Sequence, residues 1–408
     1  MASIRKRVWT SGGDERTAWV VDYKDQEGKR RLKTFTKKKE ADAYRDRIKP
    51  EIRAGTHTPD SQSKLVSEAC DLWLAYCNAE GLEYSTIRQR RQHIELHIKP
   101  YVGGVKLSEL NGPMVRGFID DLRDDGRSLA MRRKVLTNFK TILSHAQGRG
   151  LVAQNVARDV KIKRDKRDKR EKAKAMDRGG AMPTKDELRA MIEKAPDRWR
   201  PLIVTAIFTG MRASELRGLP WEHVDLEEEL IRVRQRADAW GTIAAPKSAA
   251  GVRDIPLAPM VVNTLKDWQG RQRKEWLVRV GKRPELRENG PPKLVFPNGN
   301  GNVENLANIF RRGFAPLQVE CGITEGFTIK RGKDGKDEKI PKAKYGLHAL
   351  RHAAASLFIE QGWTPKRVQT VIGHASIQMT YDLYGKLFKD PEDDRESMRQ
   401  VEARLLAG

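Results

Sequence analysis

Two stretches of this chain are too polar to join any hydrophobic core, and they cut it into three. Residues 56–63 read Thr-His-Thr-Pro-Asp-Ser-Gln-Ser, a run of turn formers around a proline. Residues 158–180 contain Lys161-Ile162-Lys163-Arg164-Asp165-Lys166-Arg167-Asp168-Lys169-Arg170-Glu171-Lys172 and close on Gly179-Gly180. Acids partly offset bases along that run, which fits a solvated helix or an extended strap. A length of 408 residues also suggests two or three domains rather than one. The cuts predict domains over 1–55, 64–160 and 182–408. The charged segment between the last two is then a tether that lets them close on a common target.

The first segment alternates in polarity. Trp19, Val21 and Tyr23 share one face at the strand period, Gln26-Glu27-Gly28-Lys29 is a turn, and 30–36 makes another strand. Three strands and a basic helix over 37–52 are expected. Exposed Arg and Lys on so small a sheet suit a major groove, or merely a solvated face.

The second segment reads as helical throughout. Leu65, Ala69, Leu72, Trp73 and Tyr76 mark one amphipathic helix. Ser85 is placed to cap a second, running to about Ile98; Pro113 opens a third that Gly126 ends, and Ser128 opens a fourth. The fourth turns Val135, Leu136, Phe139, Ile142 and Leu143 inward, which should leave Arg132, Arg133, Lys134 and Lys140 outside. The second shows Arg88, Arg90 and Arg91. Arg88, Arg90, Arg91, Arg132 and Arg133 are therefore the candidate phosphate contacts of this segment. The plainer reading of any one such face is simple solvation.

The third segment mixes helices with short strands. Residues 201–208 are apolar nearly all round, as in a buried helix. Strands are expected over 230–234, 242–245 and 253–257, with Lys247 in the turn between the last two. Residues 329–340 read as a charged surface insertion whose Asp334-Gly335 favours a hairpin turn. The expected fold class is multidomain and mainly α with small β-sheets.

Composition narrows the partners. The formal net charge is +24, and a chain this basic commonly faces a polyanion. No apolar run approaches a membrane span, and Met1-Ala2-Ser3-Ile4-Arg5-Lys6-Arg7 lacks the apolar stretch of a signal peptide. Three cysteines without CxxC spacing argue against a disulfide framework or structural zinc, and Cys70 and Cys77 fit a helix core. A reduced, cytoplasmic, nucleic-acid-facing protein is expected.

The third segment also carries a chemical kit. Arg212 follows Gly210 at the start of a short helical stretch, with Glu215 placed to hold its guanidinium. His348 and Arg351 share a helix face. His374 leaves a helix that Thr364-Pro365 begins and Gly373 ends. Tyr381 and Tyr384 lie on the next helix, which Ser376 is placed to cap; Tyr381 fits packing, and Gly385 loosens the backbone after Tyr384. Arginine forks hold phosphate, histidines move protons, and a tyrosine oxygen can be a nucleophile. His348 and His352 also have zinc-ligand spacing, but no glutamate follows His348 and a cation, Arg351, lies between them. Taken alone, His352 reads as a packing histidine.

In the order Arg, Lys, His-x-x-Arg, Gly-His, Tyr, the chain resembles the tyrosine recombinases, in particular phage and genomic-island integrases. The resemblance rests on Gly210-Met211-Arg212-Ala213-Ser214-Glu215-Leu216, Lys247 before Val252-Arg253-Asp254-Ile255-Pro256-Leu257, His348-Ala349-Leu350-Arg351-His352, Ile372-Gly373-His374 and Met379-Thr380-Tyr381-Asp382-Leu383-Tyr384-Gly385. It implies an arm-site domain over 1–55, a SAM-like core-binding domain over 64–160 and a catalytic domain over 182–408. It implies Tyr384 as nucleophile, forming a 3′-phosphotyrosyl bond, Arg212 and Arg351 on the phosphate, and His348 as base. It further implies His374 as a hydrogen-bond donor, Lys247 as general acid and Glu215 as a support behind Arg212. The implied partners are double-stranded DNA attachment sites and a homo-tetramer on DNA, with room for DNA-bending and excision-directing accessory proteins; no cofactor, metal or membrane is implied. A type IB topoisomerase shares the chemistry, a silent DNA-binding regulator shares the fold, and a zinc hydrolase would use His348 and His352. Two N-terminal DNA-binding modules, a full set of catalytic residues and the missing glutamate, respectively, weigh against these three.

Overall fold

The computed structural model describes residues 2–12, 14–25, 27–54, 57–163, 182–288, 290–331, 337–388 and 391–407. It contains two compact units, residues 1–173 and 174–408.

The first unit opens with three antiparallel strands in the order β1 (Ser3–Ser11), β2 (Asp14–Lys24), β3 (Arg30–Phe35). Helix α1 (Lys38–Arg53) lays Ala41, Tyr44 and Ile48 against Val21 and Tyr23 of β2. A separate helical core follows, built from α2 (Val66–Ala79), α3 (Tyr84–His97), α4 (Gly112–Asp124) and α5 (Leu129–Gly148). Asn111 and Ser128 cap α4 and α5 by accepting the amides of Met114 and Met131. Ser85, by contrast, lies inside the first turn of α3, which has Glu83 at its N-cap position.

Two other expectations shift with helix phase. The buried row of α2 is Val66, Ala69, Cys70, Trp73, Leu74 and Cys77, and Tyr76 is exposed. Arg132 stands three, four and seven residues before Val135, Leu136 and Phe139, so it shares their inward face and is 5% exposed. It therefore leaves the predicted outer basic face. Arg88, Arg91 and Arg133 remain exposed, and Arg90 is half-buried with its guanidinium 4.7 Å from the Trp73 ring centre.

The polar stretch after α1 is fixed to both cores. His57 is buried and its Nε2 lies 2.9 Å from the Tyr23 hydroxyl. Asp60 pairs with Lys33 of β3, while its backbone carbonyl accepts from Lys106 at 2.9 Å. His57 and Asp60 thus tie this polar linker to its neighbours as a strap. The later charged run begins after Val160, which is buried in the helical core; its residues 164–180 lie outside the described residues.

The second unit is built around α7 (Arg200–Thr209), which is buried nearly all round and packs against α9 (Pro259–Lys282) and α10 (His348–Glu360). Helix α6 (Lys185–Lys194) precedes it, capped by Thr184, and a single-turn helix α8 (Ala213–Arg217) follows it. Strands β4 (Val224–Asp225), β5 (Leu230–Val233) and β8 (Arg253–Pro256) form one antiparallel sheet. Strands β6 (Arg236–Ala237) and β7 (Ile243–Ala244) form a separate pair. Strands β9 (Thr324–Arg331) and β10 (Asp337–Ala343) pair antiparallel; the predicted Asp334-Gly335 turn lies outside the described residues. Helices α11 (Pro365–Ile372), α12 (Ile377–Tyr384) and α13 (Pro391–Leu406) complete the chain. No helix of the described residues is long and apolar enough to cross a membrane.

One glycine brings the functional helices together. α7 ends at Gly210 with φ +61°, a left-handed conformation that favours glycine. A Cβ at that position would lie 2.5 Å from Ile372 Cδ1 and 3.1 Å from Ala354 Cβ. The end of α7 can therefore touch α10 and α11 directly.

Candidate active site

A buried carboxylate organises the site. Glu215, on α8, is 2% exposed. Its Oε2 accepts Arg253 Nη2 at 2.8 Å and the backbone amide of Arg212 at 2.9 Å. Its Oε1 accepts Arg212 Nη1 at 2.7 Å and Arg253 Nη1 at 3.2 Å. Burial alone would raise the pKa of this carboxyl, but the hydrogen bonds and charge of Arg253, helped by Arg212, bring it below the ordinary value.

Two helix exits supply the next set of contacts. Arg212 Nη2 donates to the Gly373 carbonyl at 2.6 Å, and Arg351 Nη1 donates to the Gly210 carbonyl at 2.8 Å. Both glycines are left-handed, Gly373 with φ +75°. A Cβ on Gly373 would lie 2.9 Å from the Ala250 carbonyl and 3.0 Å from the Arg253 guanidinium carbon. Arg253 itself donates to the Val371 carbonyl at 2.6 Å and to the Gly251 carbonyl at 3.0 Å. The loop that bears Lys247 is thus pinned at its far end, while Lys247 is exposed.

Charge in this cluster is unbalanced. Three guanidiniums, those of Arg212, Arg253 and Arg351, gather near a single carboxylate, Glu215, which hydrogen-bonds only the first two. Burial and then repulsion from Arg212 lower the pKa of Arg351 to about 9, so it remains cationic at neutral pH. An arriving anion would relieve that repulsion. Arg212 keeps part of its side chain open, and each arginine has five N–H donors, only some of them spent on the protein. Because α8 is a single turn, an anion here would be held by the guanidiniums rather than by a helix terminus.

The titratable groups line up beside it. His348 and His352 stand one turn apart on α10, with ring centres 4.9 Å apart and planes at 88°. His352 Nδ1 lies 2.7 Å from the Tyr384 hydroxyl. His374 is buried, its Nδ1 3.0 Å from Thr380 Oγ1, and its ring lies nearly parallel to Tyr384 with centres 6.3 Å apart. Burial, then Arg351 and Arg212, lowers the pKa of His374 to about 4. His348 is the most open of the three histidines; partial desolvation, then His352 and the arginines, lowers it as well. Burial lifts Tyr384 to about 12, against the pull of Arg351.

The two tyrosines exchange the environments expected from sequence. Tyr384 is 2% exposed and packs with Ile359, Val368 and Ile372, whereas Tyr381 is 47% exposed. The reason is helix phase: Thr380 and Tyr384 form the buried row of α12, and Tyr381 lies one position round from it. Gly385 does end the α-helix, which tightens into a 3-10 turn over Gly385–Phe388. Ser376 occupies the N-cap position without a capping hydrogen bond from its side chain. Arg212, Glu215, Arg351, His374 and Tyr384 are gathered into one network. Sequence reasoning missed Arg253 and discounted His352. Both left a signal: Arg253 shares the inward face of β8 with the buried Ile255, and His352 follows His348 by one turn. Among the described residues no group of three or more His, Cys, Asp or Glu is placed to hold a metal ion.

Residues 183–390 match the phage integrase family. The chain belongs to that family. Residues 65–123 match the integrase N-terminal SAM-like domain. A tyrosine recombinase XerC-like protein of Caldanaerobacter subterraneus subsp. tengcongensis is 25% identical over 382 residues, 90% of each chain. An integrase of Streptomyces ambofaciens is 24% identical over 395 residues, 91% of this chain and 90% of its own. Among solved structures, the Tn1549 transposon integrase in complex with transposon right end DNA superposes with a TM-score of 0.61 at 17% identity, covering 83% of this chain and 100% of that one. A lambda integrase tetramer bound to a Holliday junction gives 0.51 at 16% identity, covering 91% and 92%. These structures share the fold of the integrase. As a member of this family the protein is a site-specific recombinase, an enzyme of mobile elements.

Two outcomes follow from the buried network. Arg253→Met strips Glu215 of its main partner and should cost about 3–5 kcal/mol of stability in urea unfolding. A loss below about 1 kcal/mol would show that the pair is not needed to hold the site. The second outcome concerns acid. Neutral His374 in the folded state faces an unfolded histidine with a pKa of about 6.5. Below that value the unfolded chain binds a proton that the folded one refuses until about pH 4, so stability is full above 6.5 and declines as pH falls. The melting temperature should drop between pH 7.5 and 4.5, and His374→Gln should make that drop shallower; an unchanged slope would contradict the assignment.

Proposed function

We propose that this integrase cleaves and rejoins duplex DNA at attachment sites through a 3′-phosphotyrosyl bond on Tyr384. The observation that carries the reading is the buried Tyr384 hydroxyl within the field of buried Arg351, with half-open Arg212 held at the neighbouring helix exit. Arg212 and Arg351 would take the non-bridging oxygens and strengthen their hold as negative charge builds on phosphorus. They supply the charge that a divalent ion supplies in many phosphoryl transferases. His374 adds a donor, and Lys247, on its exposed loop, is the general acid for the leaving 5′-oxygen. A tyrosine raised to about 12 is silent at rest and needs both the phosphate and a base. The candidate bases are the paired His348 and His352. The phosphodiester energy stays in the phosphotyrosyl bond, so rejoining needs no external energy source.

The partners follow from the same reading. Double-stranded DNA is supported by the +24 charge and by the DNA complexes of the Tn1549 and lambda proteins. Residues 1–55 are the arm-site domain, 64–160 the core-binding domain, with Arg88, Arg91 and Arg133 toward phosphate, and 182–408 the catalytic domain. Action in the bacterial cytoplasm, as a tetramer on DNA aided by bending and excision-directing proteins, completes the proposal. α13 supports the tetramer: Met398, Val401 and Leu405 form an exposed apolar stripe suited to a neighbouring subunit.

Tyr384→Phe removes only the attacking oxygen. It should bind a nicked attachment-site duplex like the wild type yet form no covalent complex on denaturing gels, while Tyr381→Phe should form it normally. Cleavage by Tyr384→Phe would refute the assignment. Deleting residues 391–408 should leave single-site binding intact and weaken synapsis in gel-shift assays. Equal loss of both would place α13 on its own catalytic domain instead.

A further inference from the structure

A tyrosine nucleophile must shed its proton as the new bond to phosphorus forms. In this structure the Tyr384 hydroxyl has a specific partner, the Nδ1 atom of His352 at 2.7 Å. We propose that His352 is the base that takes the Tyr384 proton in strand cleavage and returns it in rejoining. The inference rests on Tyr384 as nucleophile and adds the residue that activates it.

Geometry selects His352 over its neighbours. α10 carries Arg351 and His352 side by side, about 100° apart around the axis. Arg351 accordingly turns to the Gly210 carbonyl, and His352 turns to Tyr384. His348 stands perpendicular to the His352 ring and makes no hydrogen bond to Tyr384 among the described residues. His374 lies parallel to the tyrosine ring rather than in line with its hydroxyl, and its Nδ1 is engaged by Thr380. Glu215 already carries two guanidiniums. His352 is thus the one base in hydrogen-bond contact with the reacting oxygen among the described residues, the reach that general-base catalysis requires.

Its ionisation suits the task. Burial, then the Arg351 charge, lowers His352 below the ordinary imidazole value, so the neutral ring predominates at neutral pH. With the proton on Nε2, the Nδ1 lone pair accepts from the tyrosine. At rest the proton stays on oxygen. When phosphate occupies the two arginines, the Tyr384 oxygen bonds to phosphorus and its proton passes to Nδ1. The bond from phosphorus to the 5′-oxygen breaks, and that oxygen takes a proton from Lys247. Rejoining reverses each transfer, so no net proton or co-reactant is consumed.

The test uses the full-length protein and a nicked core-site duplex, selected by enrichment of bound fragments from the genome that encodes it. A second duplex has sulfur in place of the bridging 5′-oxygen; the thiolate leaves without a proton, so only the acid becomes dispensable. His352→Asn keeps a hydrogen-bonding side chain but cannot take the proton. It should slow covalent complex formation by about 100-fold or more on both duplexes, the usual range for a lost general base. Duplex binding should be unchanged. Lys247→Ala should be slow on the oxygen duplex and restored on the sulfur one. A His352→Asn rate within about threefold of wild type, a faster rate, or rescue by sulfur would overturn the proposal. A wild type that forms no covalent complex would overturn the tyrosine reading itself, whereas an unimpaired His352→Asn in an active protein would overturn only the role of His352.

Discussion

The catalytic unit depends on one buried carboxylate. Glu215 is fully enclosed and is shared between Arg253 behind it and Arg212 in front. Removing Arg253, the buried partner, would leave Glu215 in a low-dielectric interior with only the half-open Arg212 to balance it, which is expensive. Through Arg253 the pair reaches the Val371 carbonyl at the end of α11, and through Arg212 it reaches Gly373. The Arg212 guanidinium and the helix exit that presents His374 are therefore parts of one frame. Segments far apart in sequence are locked by it before any substrate arrives.

A reciprocal arrangement completes the frame. Gly373 gives its carbonyl to Arg212, and Gly210 gives its carbonyl to Arg351. Arg351 is anchored by the turn just before Arg212, and Arg212 by the turn that ends α11; both turns need glycine because both are left-handed and crowded. Anchoring of this kind removes rotamer freedom before the reaction, so the donors need little reorganisation when charge develops. The same crowding holds the two cations together against their repulsion, a state that an anion would stabilise.

Much of this was legible in the chain. Gly210, Arg212 and Glu215 are close in sequence, and local turn chemistry is enough to read them together. The α10 motif works for the same reason: helical spacing sets His348, Arg351 and His352 in fixed directions. Sequence reasoning failed where phase or long-range pairing decides. Arg132 and Tyr381 were assigned to the wrong sides of their helices, since a shift of one residue rotates a side chain by about 100°. Arg253 was quoted in a motif but given no role, because its partners, Glu215 and Val371, are distant in the chain. That the linker over 56–63 is tied down at His57 and Asp60 could not be read either, because hydrogen bonds to Tyr23, Lys33 and Lys106 leave no trace in composition.

Tyr384 is the point where these constraints meet, buried, bonded to His352 and next to the arginine frame. The most direct measurement is the identity of the residue that carries DNA. Trapped covalent complex, digested with nuclease and trypsin, should yield the peptide Val368–Lys386 bearing a nucleotide, and fragmentation spectra can separate Tyr381 from Tyr384 within it. The account predicts the nucleotide on Tyr384. A nucleotide on Tyr381, or on any other residue, would contradict it.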